Sequence, residues 1–568
     1  MHSQRLAKLV VLALVLSLVV PVSVRAATSK CAGVEATKVG TPGNDVLNGT
    51  AGDDVINGLG GNDTIDGRGG ADLICGKGGK DKIEGAEGDD LLLGGSGDDQ
   101  LVGGPGQDFV SFLDSKRGVT ASLATGRATG DGSDRMTGIE ILGGSRQSDN
   151  LSGDDDQLNL FFGLQGNDSL FGGRGLDLVA GGPGNDRLEG QRGFDVADFA
   201  FSATAVNVNL NISSATGDGT DTLNGIEVVS GSPFDDIITG DGAANFLWGA
   251  AGNDQIFGLS GDDDLQGDAG DDMLDGGEGD FDFADYFFTA NAVNASLATQ
   301  TATGDGADQF ANVEGLIGSS FDDTLTGGGG DEVFGGAGGN DTIAAGSGFD
   351  FVFYIAAEAG VTVDLVAGTS SGEGSDQLSG LEAVIGSEFN DSLSGDDANN
   401  ALFGFGGNDT LRGLGGDDYF VGMLGDDTIE GGAGSYDLVD YGPSFLGVDA
   451  NLDTGVVTGD GNDRLTDIEG LIGSIFDDTL VGDEFTNYLF GGDGDDVISG
   501  GDGDDQLTGD VGADAVDGGN GADSCAADDT KLHCETVGEP LIHPLIVWSN
   551  AYASAAATIR SKGIRSKG

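Results

Sequence analysis

Aspartate recurs every nine residues over a long stretch of this chain and supplies carboxylates at a fixed interval. From Gly40 the sequence reads, in nines, GTPGNDVLN, GTAGDDVIN, GLGGNDTID, GRGGADLIC, GKGGKDKIE, GAEGDDLLL, GGSGDDQLV and GGPGQDFVS. The sixth position is aspartate in all eight copies, and the eighth position is aliphatic in all eight. These position-six aspartates are Asp45, Asp54, Asp63, Asp72, Asp81, Asp90, Asp99 and Asp108.

The same pattern returns in five further arrays, with small slips in register. Their position-six aspartates are Asp168, Asp177, Asp186, Asp195, Asp254, Asp263, Asp272, Asp341, Asp350, Asp409, Asp418, Asp427, Asp496, Asp505, Asp514 and Asp523. An isolated aspartate of this kind is typically a solvated turn residue, but so many copies in register indicate a common role.

Stacked carboxylates at this spacing can bind a divalent cation. If two nonapeptides form one coil, neighbouring coils lie about 4.8 Å apart, and Asp45 faces Asp63 while Asp54 faces Asp72. Two carboxylates so close repel or take up a proton unless a cation lies between them. Six or more oxygens from carboxylates and turn carbonyls suit calcium better than magnesium, which requires tight octahedral geometry. The spacing therefore predicts several calcium ions, with six such pairs in the first array.

The other positions of the nonapeptide indicate the elements that hold these aspartates. Glycines at positions one and four allow left-handed backbone in a tight turn and leave carbonyl oxygens accessible. The aliphatic residue at position eight marks a brief strand whose side chain points inward. The prediction is an all-β fold, a parallel β-roll or β-helix solenoid of stacked 18-residue coils.

A second repeat separates the arrays. It contains TGDGSD ending at Asp134, TGDGTD at Asp221, TGDGAD at Asp308, SGEGSD at Asp376 and TGDGND at Asp463. Each of these anchors ends 26 residues after the last array aspartate, as from Asp108 to Asp134. A constant length indicates a structured segment, and alternation such as Val206 to Leu210 predicts a short strand in it. We therefore expect wider or irregular coils stacked on the same roll.

These repeats divide the chain into expected segments. They are a signal peptide at 1–26, a first array with an N-terminal cap at 27–111, linker-plus-array segments at 112–198, 199–285, 286–353 and 354–440, a last linker, array and C-terminal cap at 441–535, and a disordered tail at 536–568.

The first residues have the features of a secretory signal. Arg5 and Lys8 precede an apolar run from Leu9 to Val20, and Val24-Arg25-Ala26 resembles a cleavage site. An uncleaved membrane anchor is the alternative, although the run is shorter than the roughly 20 residues that a span needs. The expectation is a secreted protein, free or held at the cell surface, with no membrane span after cleavage.

The four cysteines fit that location, because an even number in an exported protein favours disulfides. They allow three pairings. Since Cys31 and Cys75 bracket the first repeats while Cys525 and Cys534 lie together near the end, we predict two local bridges, Cys31–Cys75 and Cys525–Cys534.

The charge of the chain restricts its partners. It has 97 acidic and 24 basic residues, a net charge of -73. Nucleic acids and anionic membranes need a basic surface, so both are excluded as expected partners. Cations are the natural ligands.

The sequence offers no convincing catalytic group, and no catalytic residue is predicted. There are three histidines and no HExxH motif. The single GxSxG, at residues 368–372, lies in a linker whose sister copies lack the serine, and nothing around it predicts a strand-to-helix nucleophile turn. A chain of this kind is not expected to be an enzyme.

The nonapeptides resemble the RTX, or haemolysin-type, calcium-binding repeat family, whose motif is GGxGxDxUx with U a large aliphatic residue. The resemblance extends over most of residues 40 to 526. It implies a parallel β-roll with calcium between successive turns, and it implies that the position-six aspartates named above are the ligands. The TGDGxD linker is similar to spacers of large surface and adhesin-like members. The chain departs from the family's toxins and proteases in its N-terminal signal and in the lack of an added effector domain.

We therefore expect an extracellular calcium-binding repeat protein that folds on binding calcium and has a structural, surface or adhesive role. Its expected partners are calcium ions and cell-surface or matrix components. The alternative is a secreted hydrolase or toxin-like effector built on the calcium-binding roll.

Overall fold

The computed structural model describes residues 30–154, 158–459, 461–526, 530–534 and 536–537. The expected signal peptide lies outside the described residues, as does nearly all of the expected tail. The fold is all-β, as the sequence predicts. Within the described ranges there is no α-helix, only one 3₁₀ turn at Leu210–Ile212, and no helix long and apolar enough to span a membrane.

The chain forms two compact units, and in each unit the strands of the nonapeptides lie alternately in two sheets and pair in parallel with their neighbours; these are called here sheet I and sheet II. In the unit that ends at Asp282 and includes residues 306–312, an antiparallel pair, Lys30–Cys31 and Val34–Glu35, precedes both sheets. Sheet I there contains Val46–Asn48, Thr64–Gly69, Lys82–Glu87, Gln100–Val102, Thr120–Ser122, Arg127–Thr129, Ser133–Thr137, Asn150–Ser152, Ser169–Gly175, Arg187–Gly193, Asn207–Asn209, Ser214–Thr216, Thr220–Asn224, Ile237–Thr239, Gln255–Ser260, Met273–Glu278 and Ala307–Ala311. Sheet II contains Lys38–Val39, Val55–Asn57, Leu73–Gly78, Leu91–Ser96, Phe109–Ser111, Ile141–Gly143, Asn159–Phe162, Asp177–Ala180, Val196–Asp198, Val228–Ser230, Phe246–Trp248 and Asp264–Gln266.

The second unit, from Phe283 onward without residues 306–312, is built in the same way. Sheet I contains Asn294–Ser296, Thr301–Thr303, Thr324–Thr326, Thr342–Ala344, Thr362–Asp364, Thr369–Ser371, Gln377–Ser379, Ser392–Ser394, Thr410–Gly415, Thr428–Ala433, Asp449–Asn451, Val456–Thr458, Asn462–Thr466, Thr479–Val481, Val497–Asp502, Ala515–Asn520 and Thr530–Leu532. Sheet II contains Phe283–Asp285, Gly315–Ile317, Val333–Gly335, Phe351–Phe353, Ala383–Ile385, Ala401–Phe403, Tyr419–Val421, Leu438–Asp440, Gly470–Ile472, Tyr488–Phe490, Gln506–Thr508, Ser524–Ala526 and Thr536–Val537.

The strand register confirms the 18-residue coil. In sheet I, Val46 pairs with Thr64, Thr64 with Lys82, and Lys82 with Gln100. Each nonapeptide contributes one strand, so two nonapeptides close one coil and the sheets face each other. The position-eight side chains fill the space between them: Ile65, Ile83 and Leu101 are at most 1% exposed.

The linkers are wider coils, and their extra residues lie in sheet I. In the first linker Thr120–Ser122 pairs antiparallel with Arg127–Thr129, which pairs antiparallel with Ser133–Thr137. The outer strands of this hairpin-like insertion pair in parallel with Gln100–Val102 and Asn150–Ser152. Sheet II receives no insertion, because Phe109 pairs directly with Ile141. The second, fourth and fifth linkers repeat this arrangement.

Both predicted disulfides are present. Cys31 bonds to Cys75 and Cys525 bonds to Cys534. Cys31 and Cys75 pack with Leu93 in one buried cluster, so the first bridge attaches the N-terminal antiparallel pair to the first coils.

The core aliphatic residues should carry much of the local stability of each coil. Ile65→Ala leaves a cavity between the sheets, and we expect it to destabilise the surrounding coils by about 2–5 kcal/mol. Amide hydrogen exchange in strands Val46–Asn48, Thr64–Gly69 and Lys82–Glu87 of the calcium-loaded protein measures this. Thr64→Ala, at an exposed position of the same strand, is the control and should change it by no more than about 0.5 kcal/mol. Equal effects of the two variants would contradict a core role for Ile65.

Candidate metal centres

The turns place the position-six aspartates in two columns. Aspartates that precede sheet I strands, such as Asp63 and Asp81, form the sheet I column, and those that precede sheet II strands, such as Asp72 and Asp90, form the sheet II column. Every aspartate named from the sequence lies in one of these columns. All are buried except Asp45, which is half-buried in the first coil.

Within a column, each aspartate contacts the one in the next coil. The backbone N–H of Asp63 donates to Oδ1 of Asp81, and the N–H of Asp81 donates to Oδ1 of Asp99, both at 2.8 Å. The four other pairs expected in the first array have the same bond at 2.8–3.0 Å. The predicted pairing of residues 18 apart is therefore confirmed, with one carboxylate oxygen of each pair committed to the backbone.

The second carboxylate oxygen, Oδ2, is buried and accepts no hydrogen bond in most coils. In the first array this holds for Asp63, Asp72, Asp81, Asp90, Asp99 and Asp108. In the later arrays it holds for Asp168, Asp177, Asp186, Asp195, Asp254, Asp272, Asp341, Asp409, Asp418, Asp427, Asp496, Asp505 and Asp514. A buried carboxylate oxygen with no donor is costly, so this regular set indicates a missing positive partner.

Glycines leave room for the carboxylates and for the turn carbonyls beside them. A Cβ on Gly76, at position one, would lie 2.4 Å from Oδ2 of Asp81. A Cβ on Gly97, at position four, would lie 1.4 Å from the carbonyl oxygen of Gly79 and 3.3 Å from Oδ1 of Asp99. Gly97 also has a φ of 141°, which few side chains tolerate. The turns thus stack carbonyl and carboxylate oxygens where any side chain would exclude them.

Burial raises the pKa of most column aspartates, and repulsion between neighbouring carboxylates raises it further. Burial raises the pKa of Asp81 to about 6 and that of Asp90 to about 7, with Asp99 and Asp108 as the respective like-charged neighbours. In a later array, burial raises the pKa of Asp409 and Asp418 to about 8. Metal-free carboxyl groups here hold protons near neutral pH.

These donors fit calcium. Over the part of the chain that the structure describes, no three acidic, histidine or cysteine side chains converge on one point. The adjacent oxygens are pairs of carboxylates and the carbonyls of the glycine turns, and calcium is bound by six to eight oxygens that include backbone carbonyls. Unpartnered Oδ2 atoms such as that of Asp81 would hold the ion, and its charge would relieve their repulsion.

The linker anchors extend the sheet I column, which the sequence analysis did not predict. The N–H of Asp99 donates to Oδ1 of Asp134 at 2.9 Å across 35 residues. Asp221, Asp308, Asp376 and Asp463 accept the corresponding bonds. The sequence could have indicated this role, because each anchor ends in GxGxD, which matches positions two to six of the GGxGxDxUx motif.

At the first, second, fourth and fifth linkers the sheet II column ends on a glutamate. The N–H of Asp108 donates to Oε2 of Glu140 at 2.9 Å. Glu227, Glu382 and Glu469 accept the same bond from Asp195, Asp350 and Asp437. Each of these glutamates lies six residues after an anchor aspartate, as Glu140 does after Asp134, but its partner lies 32 residues away, and that pairing was not predicted.

The carboxylate of the first aspartate in a sheet I column after a linker accepts hydrogen bonds from the protein on both oxygens. At the start of the sheet I column after the third linker, Asp323 accepts hydrogen bonds from the N–H of Ser319 at 2.5 Å, the hydroxyl of Ser319 at 2.9 Å and the N–H of Val293 at 2.6 Å. Asp149, Asp236, Asp391 and Asp478 have the same three donors. We call these five groups the Ser–Asp clamps.

Other column starts follow the same rule, with a donor four residues before the acceptor. The N–H groups of Thr41 and Thr50 donate to Oδ2 of Asp45 and Asp54, both at 2.6 Å. These two predicted ligands therefore differ from the later ones. In the sheet II column an uncharged side chain often takes the first place, as in Asn245, Asn400 and Asn487.

The serine of the single GxSxG is structural. Ser370 is buried in strand Thr369–Ser371, and its hydroxyl donates to the carboxylate of the anchor Asp376, which also accepts from the hydroxyl of Tyr354.

The chain matches the family model described as an RTX calcium-binding nonapeptide repeat. The matched residues are 39–74, 76–110, 162–197, 221–280, 317–352, 378–438 and 472–525, which together are more than half of the chain. No curated protein matches it.

The Ser–Asp clamps should stabilise the roll without calcium. Ser319→Ala removes the hydroxyl donor from the buried Asp323, and we expect the loss to destabilise the coil by about 1–3 kcal/mol. Amide exchange of Val293 measures this in the folded protein at two calcium concentrations above the folding midpoint, and the effect should be the same at both. Ser320→Ala changes the exposed neighbouring serine and should have no effect. If the effect of Ser319→Ala disappears at high calcium, the clamp is not independent of the metal.

The raised pKa values predict how the metal-free protein responds to pH. The pKa of Asp90 is about 7 and that of Asp409 about 8 in the folded chain, against about 3.9 when unfolded. The folded state then binds more protons, so its stability is greatest below the unfolded pKa and is lost as the pH rises through about 6–8. Circular dichroism in chelator should show more β structure at pH 5 than at pH 8.

High salt controls for the net charge, because about 1 M salt screens exposed charges but screens buried ones much less. The pH effect should remain at that salt concentration. An unchanged spectrum between pH 8 and pH 5 would contradict buried, proton-binding columns.

Proposed function

Because the chain belongs to the RTX calcium-binding nonapeptide repeat family, we propose that it is an extracellular protein that folds on binding calcium and serves as a structural or adhesive solenoid. Calcium binding, at several sites, follows from the family itself. The location, the coupling to folding and the role are proposed here.

The observation that carries this proposal is the regular set of unpartnered Oδ2 atoms in the two columns. Asp63, Asp81 and Asp99 each have one buried carboxylate oxygen without a donor. The oxygen faces a space that glycine keeps open beside the turn carbonyls. We assign the ligands to the position-six aspartates named from the sequence other than Asp45 and Asp54, whose Oδ2 atoms accept hydrogen bonds, together with the anchors, such as Asp134, that continue the sheet I column.

Coupling to folding is supported by the small core of each coil. One nonapeptide buries about one aliphatic side chain, worth roughly 1.5–3 kcal/mol, whereas ordering nine residues costs on the order of 9–18 kcal/mol. Sheet hydrogen bonds offset part of that cost. The buried carboxylates oppose folding further, and calcium removes this opposition because it binds the folded columns and not the extended chain.

An extracellular site of action is supported by three features. The first residues have the pattern of a secretory signal. Both cysteine pairs form disulfides, which persist in oxidising compartments. Extracellular calcium modules commonly have dissociation constants of about 0.1–1 mM, and sites of that affinity are filled outside cells.

The decisive measurement is a calcium titration that records circular dichroism and bound calcium together. At pH 8 we expect coil in chelator and β structure at millimolar calcium, because repulsion in the columns is relieved only by the ion. A folded protein in chelator at pH 8 would refute the coupling.

A pair of variants tests the ligands. Asp81→Asn removes a column charge with little change in shape, and the chain itself has asparagine at column starts such as Asn245. We expect one or two fewer bound ions and a higher calcium midpoint. Glu87→Gln removes an exposed charge nearby and should leave both unchanged. Unaltered stoichiometry in Asp81→Asn would remove the column aspartates from the ligand set.

A further inference from the structure

The few basic residues of this chain are concentrated near its N-terminal end. Eleven of the 24 lie between Lys30 and Arg146, whereas residues 193–530 contain only Arg412 and Arg464. Apart from the four basic residues at 560–567, the rest of a chain with a net charge of -73 offers little positive charge to an anion.

Three of these cations form a row across sheet I. Lys82 pairs with Gln100, Gln100 with Arg135, and Arg135 with Arg127 in the strand register. All four side chains are exposed on the outer face of the sheet. With strands about 4.8 Å apart, the row extends roughly 14 Å across the strands. We call it the basic row.

The two arginines of the basic row stand in electrostatic conflict. Arg127 and Arg135 are directly opposite each other on antiparallel strands, and like charges in that position are destabilising. Neither forms an ion pair within the described part of the chain, whereas Lys80 pairs with Asp98 and Lys82 lies 3.4 Å from Glu84. An anion bound between the arginines would remove this conflict.

The arginine pair is peculiar to the first linker. At the positions of Arg127 and Arg135, the second linker has Ser214 and Thr222, and its hairpin forms with the same pairing. The fold of the linker does not need the arginines, so their presence calls for another explanation.

The basic row borders a depression of about 600 Å³ on the same face. Lys80, Lys82, Arg127 and Arg135 line it together with hydroxyls such as those of Thr64 and Ser133, and every lining residue is polar. Its floor contains the sheet I column aspartates, whose charge calcium neutralises under the proposed function. With calcium bound, the depression would offer four cations and neutral hydrogen-bonding groups, and the one carboxylate outside the columns, that of Asp98, is paired with Lys80.

We propose that this depression binds an anionic polysaccharide, a chain of sugars that carry carboxylate or sulfate groups. The inference rests on the proposed function and deepens it by naming the partner. The polar lining suits sugar hydroxyls, and the arginines suit the anionic substituents because guanidinium groups pair with two oxygens at once. A single polysaccharide chain is narrow enough to enter the depression without contacting the acidic surface of the rest of the protein.

Other anionic partners fit less well. A lipid bilayer would need apolar side chains to insert, and the lining has none. Both a bilayer and a nucleic acid duplex would also extend over acidic surface, where repulsion opposes contact.

The test measures binding of dextran sulfate, neutral dextran and anionic phospholipid vesicles to the full protein in millimolar calcium. The key variant is Arg127→Ser with Arg135→Thr, which copies the second linker. We expect the wild type to bind dextran sulfate with salt-sensitive affinity and the double variant to bind at least tenfold more weakly. Arg464→Thr, which removes the arginine at the same position of the fifth linker, should bind like the wild type.

Three results would overturn the proposal: equal affinity of the double variant and the wild type, an equal loss in Arg464→Thr, or comparable binding of neutral dextran. Vesicle binding at least as tight as that of dextran sulfate would assign the row to a membrane instead. Calcium-dependent circular dichroism of each variant separates these outcomes from failure of the proposed function, because the inference alone fails when folding by calcium is normal and binding is not.

Discussion

Repulsion between stacked carboxylates is the constraint on which this structure depends. A coil repeated at the strand spacing places identical residues beside each other, and here the repeated residue is a buried aspartate. Its Oδ1 accepts a backbone N–H from the previous coil, as Asp81 does from Asp63, while Oδ2 has no donor. The backbone thus fixes each carboxylate in place but provides a hydrogen-bond donor to only one of its two oxygens. Under the proposed ligand assignment calcium would satisfy the other half, because it binds carboxylate and carbonyl oxygens together and carries the opposite charge.

The ends of the columns show the same constraint met without a metal. The first member of a column has a column carboxylate on one side only, so an ion on its other side would lack ligands. The protein replaces it with hydrogen-bond donors: Ser319 and Val293 satisfy both oxygens of Asp323, and Thr50 satisfies Asp54. Elsewhere an uncharged Asn245 stands at the start and a glutamate at the end. At these positions hydrogen-bond donors of the protein therefore satisfy the carboxylate in place of a metal ion.

Nine-residue periodicity was sufficient to predict the coil length, the aspartate pairs and the inward aliphatic residues, because each depends on a neighbour at a fixed separation. The two disulfides followed from their proximity to the array ends. The added strands of the linkers, the clamps and the glutamate ends were not predicted. Their partners lie 30 to 35 residues apart, as for Val293 with Asp323 and Asp99 with Asp134, and they depend on how the linker folds back onto sheet I, which no spacing reveals.

If calcium binds along the columns, the clamps at the column starts would limit how far one ion can influence another. Under the proposed ligand assignment, an ion that binds two coils would order the turns on which the next ion depends, so binding along a column would be cooperative. At a linker the column passes from paired carboxylates to Ser–Asp clamps, whose donors are present whether or not calcium is bound. Nearest-neighbour coupling in a solenoid is carried only by adjacent coils. The arrays would therefore act as separate calcium-binding segments, and a change in the number of coils in one array would leave calcium binding in the others intact.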